Sequence, residues 1–451
     1  MSAREHEALR ARAAAAVTAV ARRLADPAAA DHPTPEVSPF RAASLSDGAP
    51  GIALLHAELG AAAGGDPAHR DAALRWVRRA AALTALAGKT PAPGPQGLYG
   101  PLAALSFALH RTADGPAAHS AARSHLREQV AELASTRAAR EERRLTEHPD
   151  PSSAPGSGSG FTTFTAYDVI SGQSGLGAHL LELGRPAEAA LVRVLRALVG
   201  LSRPVRTHDR GLPGWWVALD GASYQPVAPA RGHANLGMAH GMPGPLALLA
   251  IAWREGVRVP GQRAAVTDLA QWLLARRCAD AAGPWWPGQL SLGPAQPEPG
   301  RPSWCYGTPG IARALQLAGL ALEVPQWQEA GVEALRAALA RADLDGPARA
   351  GETAEAGLCH GLAGLLQITW RAARDSGDPE LAERVPQLAA RLLELLDEEA
   401  PFGFAAAPGE RPPEEHPGGF LTGAAGAALA LDTFARDAEP ATRWDRALLL
   451  A

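Results

Sequence analysis

Two cysteines in this sequence stand in the same setting. Cys305 lies in Ser303-Trp304-Cys305-Tyr306-Gly307-Thr308-Pro309-Gly310, and Cys359 in Leu358-Cys359-His360-Gly361-Leu362-Ala363-Gly364. Each just precedes a Gly-x-x-Gly turn, and an apolar helical run follows: Ile311 to Leu322 in one, Leu365 to Trp370 in the other. Turns of one design place Cys305, Cys359 and His360 at one end of their helices. Two thiolates and an imidazole are a zinc donor set, and three protein ligands leave a fourth position open, as catalytic zinc requires. The alternative for the same set is a structural zinc staple.

Two more residues occupy comparable places. Asp168 belongs to Tyr167-Asp168-Val169-Ile170-Ser171-Gly172, and His240 to Asn235-Leu236-Gly237-Met238-Ala239-His240-Gly241-Met242-Pro243-Gly244. A lone histidine before glycine is usually a hydrogen-bonded turn residue, and a lone aspartate a cap. Five such residues in equivalent places of one repeat point instead to a shared basin.

The repeat is what must position them. Gly-x-x-Gly recurs at Gly48/Gly51, Gly172/Gly175, Gly241/Gly244, Gly307/Gly310, Gly361/Gly364 and Gly423/Gly426, with a degenerate copy at Gly100-Pro101-Leu102-Ala103. Each turn leads into a Leu-rich segment with few charges on any face: 52–59, 102–109, 176–183, 246–253, 311–322, 362–370 and 427–434. That is the pattern of a helix buried nearly all round. Amphipathic helices are predicted between them at 3–25, 67–87, 117–146, 186–201, 261–277, 325–341 and 379–399. Asp66-Pro67 and Asp378-Pro379 place a capping residue before a proline at the first helical position, and Pro186, Pro260 and Pro325 can start helices likewise.

Seven buried helices alternating with seven amphipathic ones predict an all-α protein. The expected arrangement is an α/α toroid, a double ring of seven inner and seven outer helices, in preference to a linear solenoid. All the Gly-rich turns then gather at one end, where glycine serves positive φ or close backbone approach. One cyclic domain over residues 1–451 is expected. Two stretches depart from the repeat. The Pro/Gly/Ser-rich segment 147–160, preceded by the charge run 137–144, reads as a solvated flexible loop. In 203–235, Asp220-Gly221 between short apolar runs predicts a hairpin insertion.

Composition narrows the function classes. With 47% hydrophobic and 20% charged residues, 451 residues suffice for a large core. A net charge of -4 with mixed signs offers no broad basic surface, so nucleic acid is not an expected partner. Three cysteines do not make a disulfide framework and fit a reducing compartment, the cytoplasm. Cys278, at the polar end of a helical run, reads as a bystander. The run Ala13 to Ala21 after Arg10 and Arg12 is mostly Ala with Arg22-Arg23 directly behind it, so it reads as an ordinary helix rather than a signal peptide. No run approaches the length of a membrane span, so stable membrane insertion is not expected.

The motifs Tyr-Asp-Val-Ile-Ser-Gly, Asn-Leu-Gly-Met-Ala-His-Gly, Trp-Cys-Tyr-Gly-Thr-Pro-Gly and Cys-His-Gly-Leu-Ala-Gly together resemble the lanthionine synthetase C family, from Gly48 to Gly426. The resemblance implies a seven-layered α/α toroid that cyclises lanthipeptides. It implies zinc held by Cys305, Cys359 and His360, an acid/base pair of His240 and Asp168, and an active-site arginine at Arg301. The chain resembles the free-standing members, so the implied partners are a dehydrated precursor peptide with its leader, a separate dehydratase and an export complex. The location this implies is cytoplasmic, or peripheral at the membrane within that complex.

The implied reaction adds a cysteine thiol to the β-carbon of dehydroalanine or dehydrobutyrine. A thiol of pKa about 8.5 is mostly protonated at neutral pH, and zinc would bind it as thiolate. Cysteinate ligands keep that sulfur nucleophilic. The resulting enolate needs a proton at its α-carbon, and His240 either supplies it or first accepts the thiol proton. Asp168 would orient the imidazole or hold substrate, and Arg301 would face the enolate oxygen. Three alternatives stand beside this one: a zinc prenyltransferase, which would want an aspartate ligand; a glutathione-adding relative; and a non-catalytic peptide-binding toroid stapled by zinc. A carboxylate-pair glycosidase is disfavoured, because the basin that Asp168 is expected to share also holds cysteines.

Overall fold

The seven glycine turns each lead into a helix in the computed structural model, which describes residues 2–30, 38–89, 96–112, 115, 117–147, 161–206, 211–219, 225–228, 231–293, 298–342, 355–404 and 418–451. The chain divides into two compact units, Met1–Leu126 with Ala342–Asp445, and Arg127–Arg341 with Arg446–Ala451. The helix Ser120–Glu147 runs across that division.

In the first unit the turn-following helices are Ala49–Ala61, Pro101–Thr112, Leu362–Ser376 and Ala424–Arg436. They form a row: Leu362–Ser376 packs on Ala424–Arg436, which packs on Ala49–Ala61, which packs on Pro101–Thr112. Amphipathic helices cover them. Pro67–Ala87 lies on Ala49–Ala61, Pro379–Glu394 on Leu362–Ser376, and the first helix, Ala3–Arg23, on Ala424–Arg436. The covering helices bury one stripe only, in Pro67–Ala87 the set Ala72, Ala73, Trp76, Val77, Ala80, Leu83 and Ala87. The predicted caps form, with the Asp66 side chain accepting from Ala68 N–H and Asp378 from Leu381 N–H.

The second unit repeats the scheme. Gln173–Leu183, Pro243–Arg254 and Thr308–Leu322 pack side by side, and Glu188–Leu201 and Pro325–Arg341 cover the first and last of them. Every residue of Thr308–Leu322 except Leu320 is buried, as its even apolar pattern predicts. Pro325 begins its helix as expected, whereas Pro260 precedes Gly261, whose left-handed φ of 81° caps the helix Gln262–Leu274 instead.

Glycine serves the turns by close approach rather than by positive φ. Gly307 has φ -96°, and a β-carbon there would overlap the backbone of Ser303 and the carbonyl of Arg301. Gly310 would strike the carbonyl of Trp304 in the same way. The turn folds its own entry segment tightly against the helix start.

Short antiparallel pairings decorate the second unit. In the 203–235 stretch, Val205–Arg206 pairs with Gly211–Leu212, and an isolated bridge joins Leu219 to Pro226. The Asp220-Gly221 turn itself lies outside the described residues, as does the 147–160 loop beyond Glu147. Cys278 does not sit on a helix. The preceding helix ends at Leu274, and Cys278–Asp280 pairs with Gly283–Trp285, the turn held by Gly283 at φ 121° and by Arg341 bonding Asp280. Among the described residues no helix is long and apolar enough to cross a membrane.

Candidate active site

The second unit brings Asp168, His240 and the Cys305 turn together. Asp168 ends the short helix Phe164–Tyr167 and is fully buried. Its Oδ1 accepts from Ser171 N–H at 2.6 Å, and its Oδ2 lies 2.5 Å from His240 Nδ1. A carboxylate only accepts, so Nδ1 carries the proton and Nε2 is the nitrogen left for chemistry. The imidazole is 27% exposed and stands between the Phe164 and Tyr306 rings, with centroids 5.6 and 6.0 Å away.

Backbone bonds fix this arrangement. Val169 N–H donates to Ala239 O at 3.0 Å, and Ala239 N–H to Cys305 O at 3.2 Å, so the three turns are laced through the residue before His240. Asn235, from a strand paired with Gln289–Ser291, holds Gly237 N–H by its side chain at 2.9 Å. The fold thus aims His240 from two sides.

Burial would lower the His240 pKa. The hydrogen bond and charge of Asp168 outweigh it, Cys305 adds to them, and the imidazole is held above its ordinary value. Burial raises the Asp168 carboxyl against the opposing bonds from His240, Ser171 and Gly172. Arg137 joins this corner, donating to Ser171 O while the charge of Asp168 acts on it. Arg137 belongs to the charge run 137–144 of the predicted helix 117–146, and in the fold it supports the Asp168 turn.

Cys305 is buried, its thiol 3.7 Å from Ser303 Oγ, which also accepts from Tyr306 N–H at 3.3 Å. Its neighbour Trp304 is fully buried and donates its indole N–H to Leu448 O at 3.0 Å. Arg301 is exposed, on the entry segment against which Gly307 closes.

Cys359 and His360 belong to the first unit. Cys359 is half-buried, its N–H donating to Leu421 O at 2.9 Å. His360 Nε2 lies 2.6 Å from Glu355 Oε2. Burial holds the Tyr99 hydroxyl well above its ordinary pKa, and charge on Cys359 pushes it further. Sequence reasoning missed Tyr99 and Glu355. Tyr99 had a signal, since it precedes Gly100 in the degenerate turn as His360 precedes Gly361.

The residues fit a zinc ion by their chemistry. No disulfide ties the three cysteines, and Cys305, Cys359 and His360 are a donor set that could hold a metal. Cys278, on its hairpin, is not part of that set.

Comparison with curated protein sequences gives no match. Among solved structures the chain is similar to one described as nisin cyclase, with a TM-score of 0.68 and 20% identity over 91% of this chain and 93% of that one. At that identity the likeness shows the fold, an all-α α/α toroid. The family described as "Lanthionine synthetase C-like protein" matches residues 39–449. The chain therefore belongs to the lanthionine synthetase C-like family.

Proposed function

We propose that this protein is a zinc-dependent lanthipeptide cyclase. It would add peptide cysteine thiols to dehydroalanine or dehydrobutyrine and so form lanthionine and methyllanthionine rings. The observation that carries this reading is the His240–Asp168 pair, 2.5 Å apart and laced by backbone to the Cys305 turn. A proton-handling imidazole beside a thiol-type metal ligand suits sulfur addition to an electron-poor alkene.

Cys305, Cys359 and His360 would hold the ion. Bound there, zinc would supply the Lewis acidity that lets a substrate thiol react as thiolate near neutral pH. The chain's own groups manage the remaining charge and protons. Sulfur bonds to the β-carbon, the C=C electron pair moves onto the carbonyl as an enolate, and the α-carbon takes a proton. The thiol proton lost equals the α-proton gained, so the addition needs no other reactant.

His240 delivers that proton from Nε2. Against burial, Asp168 raises the imidazole pKa above its ordinary value, which favours the proton-carrying form relative to a free histidine. It also keeps Nδ1–H in place through the transfer. Arg301 stabilises the enolate oxygen. The substrate is a dehydrated precursor peptide with its leader, supplied by a separate dehydratase and passed to an export complex. The reaction belongs in a reducing compartment, the cytoplasm, where cysteines outside any disulfide persist.

The test is incubation of purified protein with a dehydrated precursor peptide. Thiol alkylation and mass measurement then count the cysteines left open. Ring closure faster than in an enzyme-free control supports the reading. Modification that appears only when glutathione is added would assign the glutathione-adding activity instead.

A further inference from the structure

Glu355 lies four residues before Cys359, on the segment against which the Cys359 turn folds back. Its carbonyl accepts from Leu362 N–H at 2.8 Å, and Leu362 begins the helix Leu362–Ser376. The next two carbonyls continue the lacing, Ala356 O taking Ala363 N–H at 3.2 Å and Gly357 O taking Gly361 N–H at 3.1 Å. A β-carbon at Gly361 would overlap the Glu355 carbonyl, so the close approach depends on that glycine. The Glu355 main chain is thus anchored to the turn that carries His360.

Its side chain is anchored there too. The carboxylate is 13% exposed, and its Oε2 lies 2.6 Å from His360 Nε2. A neutral imidazole carries a proton on one nitrogen and a lone pair on the other. Because a carboxylate only accepts, this contact selects the tautomer protonated at Nε2. The lone pair is then on Nδ1.

We propose that Glu355 is a positioning residue for the metal: it holds Nε2–H of His360 and leaves Nδ1 as the donor to zinc. The inference rests on the zinc reading above and names an outer residue that the Cys-His-Gly motif does not contain. A solvated ion pair would contribute little. This one is built differently, with the carboxylate largely enclosed and its backbone fixed by the same turn. A histidine ligand free to rotate or exchange tautomers must be ordered on metal binding, and an outer carboxylate does that ordering beforehand.

The experiment measures zinc affinity of the full-length protein by competition with a chromophoric chelator, in wild type, Glu355→Ala and Glu355→Gln. Glu355→Ala is expected to weaken zinc by about 10- to 100-fold with far-UV helicity unchanged. Glu355→Gln, whose amide oxygen still accepts from Nε2–H, should lose less. Long-range ¹⁵N–¹H spectra of histidine-labelled, zinc-loaded wild type should show His360 bound through Nδ1, assigned by comparison with His360→Gln. Wild-type affinity in Glu355→Ala, or metal on Nε2, overturns the proposal and leaves the zinc reading standing. A wild-type protein that takes up no zinc overturns that reading, and this inference with it. If the alanine variant does not fold, the glutamine variant and the wild-type spectrum decide.

Discussion

His240 Nδ1 and Asp168 Oδ2 are 2.5 Å apart, joining two residues 72 positions apart in the chain. The aspartate is fully buried and the imidazole partly exposed, so the pair has a fixed end and a working end. Replacing His240 with Ala should therefore slow ring closure by about 10²–10⁴-fold. Zinc should stay at one ion per chain. Rates equal to wild type would remove His240 from the reaction, and loss of zinc would make it a ligand.

The cysteines should separate cleanly. Cys278 lies on the Cys278–Asp280 strand, away from the donor set. Cys278→Ala should keep full zinc content, whereas Cys359→Ala should lower it sharply, as read by elemental analysis of unchelated protein. Equal losses would mean a different ligand set.

Acid should loosen the first unit through a histidine pair outside the site. His56 is buried, its Nε2 donates to Leu24 O at 2.9 Å, and its Nδ1 faces His69 Nδ1 at 3.0 Å. Burial draws its pKa from 6.5 to about 4. Between those values the unfolded chain binds a proton that the folded one refuses, so stability is complete above pH 6.5 and falls as pH drops toward 4. The full loss is about 3 kcal/mol. His56→Gln should flatten the melting-temperature slope between pH 7 and 5. An unchanged slope would place the acid sensitivity elsewhere.

The helices and the turn residues were legible because they repeat. The glycine pairs, the even burial of 311–322 and the caps at Asp66 and Asp378 are local signals with a fixed period. Glu355, Arg137 and the Trp304–Leu448 bond have no such signal. Each depends on which carbonyl or side chain the fold brings alongside, and that follows from packing. The Cys278 hairpin was read as helix because Arg276-Arg277 continue an amphipathic pattern. The chain turns there instead, and Arg341 pins the hairpin.

Zinc should serve the reaction rather than the fold. Both units bury continuous helical cores made of Ala and Leu without it. Chelation should leave far-UV helicity largely intact, and wholesale unfolding would favour a structural staple.

Ring closure should depend on the metal. The direct measurement is the number of cysteines still open to alkylation in a dehydrated precursor peptide over time. It compares purified protein, chelated protein, chelated protein given zinc back, and an enzyme-free control. Free thiols should be lost fast with the purified protein and at control rates after chelation, with recovery when zinc is restored. Metal-replete protein that closes rings no faster than the control would contradict the cyclase reading.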